Sequence, residues 1–191
     1  MESDSRPQPH LTSSLLEDEA EQDSSLDPME LALTFARAAK EIDEVPVGAV
    51  VLTDEGTLIG VGYNRRESDQ DPTAHAEIMA IRDAAKRLNS WRLENCTLYV
   101  TLEPCPMCLG ALQQSRIKHV TYGARDPKGG ALSLGYNLHE DSRTNHRFEI
   151  DETLLPECGE ILTQFFREKR NKIKQAPNST DNITPQNEEM E

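Results

Sequence analysis

Cysteine is scarce in this sequence, with four residues among 191. That density is far too low for a disulfide scaffold, and Cys105 and Cys108 have the spacing of metal ligands or of a redox pair. Aromatic residues are also few, at 5%. Hydrophobic residues reach only 36% against 28% charged, so part of the chain is expected to be solvated rather than packed. No apolar run approaches the ~20 residues of a bilayer span, which argues against a membrane helix. The amino-terminal stretch lacks the basic start and apolar middle of a secretory signal. These absences point to a cytoplasmic protein with no membrane partner.

Negative charge, by contrast, is plentiful but uneven. Of the formal net −14, residues 1–27 carry −7 from eight acids and Arg6, and residues 175–191 carry −4 from four acids and no base. The stretch 28–174 is left with only −3, so the acidity belongs to the ends and does not exclude a nucleic-acid partner for the middle. Both ends are rich in Ser, Asp, Glu, Gln, Asn and Pro and hold only isolated apolar positions. Such composition buries too little surface to offset ordering entropy, so 1–27 and 175–191 are expected to be disordered tails around one folded domain, 28–174.

Within the domain, Asp27-Pro28-Met29-Glu30 has the form of a helix start, and Leu31, Phe35, Ala38 and Ile42 follow at helical spacing. Val45 to Thr53 and Leu58 to Tyr63 flank the turn signal Asp54-Glu55-Gly56 and read as an antiparallel hairpin. After a polar loop at 64–72, Thr73 is a candidate cap for a helix over 74–88, with Ile78, Ile81, Ala85 and Leu88 as its apolar stripe. A strand from Cys96 to Leu102, a helix over 106–115 and a strand from Ile117 to Gly123 form a parallel crossover unit. A long loop over 124–146, a short strand from Arg147 to Ile150 and a helix over 153–173 complete the series. Helices around a mixed sheet predict a three-layer α/β/α domain.

Two segments carry the chemistry: Thr73-Ala74-His75-Ala76-Glu77 and Glu103-Pro104-Cys105-Pro106-Met107-Cys108. One imidazole and two thiolates are good zinc ligands, and three protein ligands leave the open position of a catalytic site. Each segment opens a helix, where the N–H groups and the macrodipole favour thiolate at Cys105 and Cys108. Glu77 follows His75 by two residues and points elsewhere on an ideal helix, so it cannot ligate beside it. A carboxyl close to the metal but not bound to it can move protons, given a pKa raised by partial burial. The set suits hydrolytic removal of an amino group from an aromatic ring.

Blander readings exist for each part. A lone CxxC is often a redox pair, but that leaves His75 and Glu77 without a task. A structural zinc needs a fourth Cys or His; Cys96, Cys158 and His119 qualify by type, although both cysteines look like small apolar fillers. A non-catalytic, zinc-containing RNA-binding protein would have no use for Glu77.

The pattern H-x-E…P-C-x-x-C is an established signature of zinc deaminases acting on nucleobases. Glu44 to Val50 (EVPVGAV), Asp71 to Met79 (DPTAHAEIM), Thr97 to Cys108 (TLYVTLEPCPMC), Ser115-Arg116-Ile117, Gly123 to Asp126 (GARD) and Asn145-His146-Arg147 extend the likeness. Over 28–174 the chain resembles the bacterial tRNA-specific adenosine deaminases of the cytidine deaminase-like superfamily. The resemblance implies that superfamily's fold with a central mixed five-stranded sheet, and deamination of adenosine to inosine at the wobble position of a tRNA anticodon. It further implies one Zn2+ per subunit on His75, Cys105 and Cys108, with Glu77 as proton shuttle. Asn64 is expected to contact the flipped nucleoside, Ala76 to help hold its base, and Arg125 and Asp126 to meet neighbouring anticodon nucleotides. A homodimer is expected. The nearest rival is a guanine, cytosine or nucleoside deaminase of the same superfamily, which shares HAE and a similar PCPMC.

Overall fold

The computed structural model describes residues 27–175, so the two expected disordered tails lie outside the described residues, Asp27 and Gln175 apart. In chain order the elements are α1 (Pro28–Glu41), β1 (Gly48–Thr53), β2 (Leu58–Tyr63), α2 (Arg66–Asp69), α3 (Ala76–Arg87), β3 (Cys96–Val100), α4 (Pro106–Gln114), β4 (His119–Tyr122), β5 (Glu149–Glu152) and α5 (Pro156–Gln175). The strands form one five-stranded sheet in the order β2-β1-β3-β4-β5. β1 runs antiparallel to both β2 and β3, whereas β3–β4 and β4–β5 are parallel. The sheet is therefore mixed, as expected.

Alternation along the strands divides the core into two layers. Ala49, Val51, Leu98, Val100 and Val120 share one cluster with Ala76, Ala80 and Ala84 of α3 and Leu109 and Leu112 of α4. Val50, Val61 and Tyr63 share the other with Leu31, Ala32, Leu33, Phe35 and Ala39 of α1 and Cys158 of α5. Helices thus cover both faces. Cys96 and Cys158 are buried free thiols, which fits their reading as apolar fillers.

The structure moves several boundaries. Asp27 caps α1 as its position suggests, accepting from the N–H groups of Met29 and Glu30. The α1 core face is broader than the expected stripe, because Ala32, Leu33, Ala36 and Ala39 are buried while Ala38 and Ile42 are only half-buried. β1 starts at Gly48 rather than Val45: Pro46 has no N–H to donate, and the Val47 N–H turns back to the Val45 carbonyl. The polar loop contains α2, whose Ser68 donates its N–H and hydroxyl to the buried Glu44 carboxylate. β5 lies two residues later than expected, at Glu149–Glu152, and the segment 124–148 holds turns but no helix.

Thr73 does not cap α3. Its hydroxyl and N–H both bond to Asp71 Oδ1, and α3 begins after His75. The expected stripe of α3 is also displaced. Ile78, Ile81 and Ala85 are half-buried and Leu88 is exposed, whereas Ala76, Ala80 and Ala84 are fully buried. They lie against glycines of β2: a Cβ at Gly60 would come within 2.5 Å of the Ala80 carbonyl oxygen, and one at Gly62 within 2.2 Å of that of Ala76. Small residues on both sides let helix and strand approach to backbone contact.

Candidate active site

The starts of α3 and α4 meet. His75 is the N-cap residue of α3 and Cys105 that of α4, both with extended backbone. Neither side chain caps its own helix, so both are free to point at a third group. At α4, Pro106 occupies the first helical position, where a missing N–H costs little. At α3 the orphan N–H of Ala76 is satisfied from outside the helix, by Asn64 Oδ1 at 3.0 Å.

His75 Nδ1 lies 3.7 Å from Cys105 Sγ and 3.6 Å from Cys108 Sγ. The three ligand atoms fall within 4.8 Å of one another and form the only such trio among the described residues. A tetrahedral zinc with bonds of about 2.3 Å to sulfur and about 2.0 Å to nitrogen has N···S edges of about 3.5 Å. The trio therefore fits a tetrahedral metal with one corner left over. His119, a fourth ligand by type alone, is instead bonded to Asp151 Oδ2 at 2.9 Å.

Electrostatics at the trio agree with a cation site. The Cys108 thiol donates to Cys105 and holds the Cys105 thiol down at about 4, with the His75 bond acting the same way. Sharing that proton, together with burial, pushes Cys108 well up. The bond with Cys105 raises His75 above the usual imidazole range. Two sulfurs around one proton are the arrangement that a dication replaces.

Glu77 is 4% exposed and lies outside the ligand trio while feeling the charges of Cys105 and His75. Burial raises its carboxyl to about 7. A buried carboxyl poised near neutrality and outside the ligand trio can accept and release a proton.

The remaining expected contacts divide. Asn64 and Ala76 are joined by the bond just described, and Asn64 Nδ2 donates to the Val45 carbonyl at 3.1 Å, so Asn64 ties β2 to the start of α3. Arg125 forms two 2.6 Å bonds to Glu152, which also accepts from the Tyr122 hydroxyl. Asp126 Oδ1 accepts from the Lys128 N–H. Neither reaches the trio directly. The link is Glu103, to which the sequence reading assigns no role: it is buried, precedes Cys105 by two residues, and accepts from Asp126 and Ser133. A carboxylate in an apolar strand end, two residues from a ligand, was the available signal.

The chain matches the MafB19-like deaminase family over residues 23–170. It is 48% identical over 149 residues to the tRNA-specific adenosine deaminase of Bacillus subtilis, covering 78% of this chain and 92% of that protein. The enzyme of the same name from Haemophilus influenzae is 45% identical over 147 residues, covering 76% and 85%. The chain belongs to the tRNA-specific adenosine deaminase family. A member of known structure, from work on A-to-I editing by tRNA:A34 deaminases at the wobble position of transfer RNA, superposes with a TM-score of 0.66 at 46% identity, covering 71% of this chain and 98% of the other. The guanine deaminase of Nitrosomonas europaea is more distant, with a TM-score of 0.59 at 26% identity over 72% of this chain and 82% of the other. Family and sheet order agree with a cytidine deaminase-like fold. Among the described residues no helix is long and apolar enough to cross a membrane.

Proposed function

We propose that this protein hydrolytically deaminates adenosine to inosine at the wobble position, 34, of a tRNA anticodon. What carries this function is the meeting of His75, Cys105 and Cys108 within 4.8 Å, with buried Glu77 beside them, in a member of this family. His75, Cys105 and Cys108 would hold a zinc ion, which would supply Lewis-acid activation of water near neutral pH. The chain's own part is proton transfer and positioning. Deamination replaces the exocyclic amine at C6 of adenine with oxygen from water and releases ammonia. Glu77 takes one proton from water and gives it to the ring nitrogen, then takes the second from the hydroxyl now on C6 and gives it to the departing amine; at about 7, its carboxyl can accept and donate near neutral pH.

Asn64 keeps one amide hydrogen beyond the bond to Val45, and with it can hold the nucleoside at the mouth of the site beside Ala76. Arg125 and Asp126 face the nucleotides next to the target. An anticodon base is unpaired, so extruding it is inexpensive. The basic run Arg167, Lys169, Arg170, Lys172 and Lys174 adds attraction for phosphates, although Lys169 is partly committed to Asp43. A homodimer in the cytoplasm completes the proposal, the second copy covering the exposed Met107, Leu134 and Tyr136.

The deciding experiment offers an anticodon stem-loop with adenosine at the wobble position, and free adenosine, cytidine and guanine in parallel. Inosine is expected in the RNA alone. Turnover of guanine or of a free nucleoside with the RNA untouched would overturn the tRNA assignment and favour the rival small-molecule deaminase, whose fold this chain shares.

A further inference from the structure

Glu103 is 3% exposed and plays no part in the proton chemistry. Its oxygens accept three hydrogen bonds, Oε1 from the Ser133 N–H at 2.7 Å and Oε2 from the Ser133 hydroxyl at 2.6 Å and the Asp126 N–H at 3.0 Å. All three donors belong to one segment, 124–133. No lysine or arginine bonds to it among the described residues. The neighbouring backbone holds the same segment: the Glu103 N–H donates to the Ala124 carbonyl, and the Ala131 N–H to the Pro104 carbonyl, each at 2.8 Å. Gly130 makes room for the carboxylate, since a Cβ there would lie 2.2 Å from Glu103 Cδ.

A buried carboxylate satisfied only by one loop, on the turn that carries Cys105, links two parts of the proposed site. We propose that Glu103 is a positioning residue that locks the segment bearing Arg125 and Asp126 onto the Cys105 turn, setting the distance between RNA contacts and the reacting base. This rests on the proposed function, in which that segment meets anticodon nucleotides. Charge-assisted bonds to a carboxylate are strong and directional, and glutamine cannot replace them all, because its amide nitrogen would face an N–H donor.

The test compares zinc-loaded wild type, Glu103→Gln and Ser133→Ala. Zinc content, thermal midpoint, kcat and KM on the stem-loop are measured, together with the rate of trypsin cleavage after Lys128. For Glu103→Gln we expect one zinc per chain, KM raised roughly tenfold, the effect of about one strong hydrogen bond, a smaller change in kcat and faster cleavage. Ser133→Ala removes only an exposed residue's hydroxyl, so it keeps the test available if Glu103→Gln does not fold; its KM should rise about threefold. Unchanged KM and cleavage in the folded variants would overturn the proposal. So would a joint fall in kcat and zinc with KM unchanged, which would make Glu103 a support of the metal turn alone. If wild type leaves the RNA untouched, the proposed function fails instead, and the cleavage rates still decide whether Glu103 holds the segment.

Discussion

Replacing Gly62 with alanine should damage the site from the far side of α3. The new Cβ would lie 2.2 Å from the Ala76 carbonyl oxygen and 2.5 Å from the Ala80 nitrogen, both backbone atoms that no rotamer change can move. Restoring an ordinary contact of about 3.4 Å requires α3 to withdraw from β2 by about 1.2 Å. Overpacking a core by one methyl typically costs about 1–3 kcal/mol. For a domain of this size that is a fall in Tm of about 3–9 °C. Activity should suffer more. Ala76 opens the helix that carries Glu77 and follows His75, and a misplacement of about 1 Å at a reacting centre can cost about a hundredfold in rate. Gly159→Ala is the control: nothing lies within 4 Å of its Cβ, and a helical glycine-to-alanine change should stabilise by about 0.5–1 kcal/mol and leave turnover alone. Thermal unfolding, zinc content and kcat on the stem-loop are measured for all three proteins. A Gly62→Ala protein with wild-type Tm would refute the packing argument. A lowered Tm with wild-type kcat would refute the step from packing to site, because α3 would then be yielding away from its first turn.

Three further outcomes are expected. Glu77→Gln is nearly isosteric and outside the ligand trio, so it should keep zinc while kcat falls about 10²–10⁴-fold; turnover near wild type would remove Glu77 from proton transfer. Chelation should abolish activity and lower Tm, with recovery on adding zinc, since a ligand at a thousand times its Kd contributes about 4 kcal/mol; a Tm indifferent to chelator would contradict metal binding at His75, Cys105 and Cys108. Asp27→Ala leaves the N–H groups of Met29 and Glu30 without their acceptor. Calorimetry should show a loss of about 1 kcal/mol with kcat unchanged, and no loss would mean that water replaces the cap.

Where local chemistry decides the outcome, the sequence alone was informative. Leu58 to Tyr63 is β2 to the residue, because the turn signal just before it marks where the returning strand starts. Asp27 and Pro28 mark the start of α1, because a cap is a local bond. The trio and Glu77 were legible as residue types at fixed spacing, each placed by a helix start. Elsewhere tertiary partners took over. Thr73 has the right residue type for a cap, but Asp71 captures its hydroxyl, and the cap of α3 comes from Asn64 across a loop. β1 could not begin at Val45 because Pro46 interrupts the donors. No periodicity signals that Glu103 serves a loop more than twenty residues downstream.

The displaced stripe of α3 follows from what this helix must do. Hydrophobic periodicity picks out large side chains, and Ile78, Ile81 and Leu88 would hold a helix at the usual distance of about 10 Å from a sheet. Here the buried row is Ala76, Ala80 and Ala84, facing Gly60 and Gly62. Large residues on that row would lift α3 away and break the 3.0 Å bond from the Ala76 N–H to Asn64, which lies next to the end of β2. The same lift would carry His75 away from Cys105 and Cys108, which sit at 3.7 and 3.6 Å from its Nδ1 on a different helix. Small residues lose hydrophobic burial relative to leucine, but only they allow the approach that brings both ligand-bearing helix starts together. The failure of the periodic reading at α3 therefore lies on the helix whose distance from the sheet sets the geometry of the site.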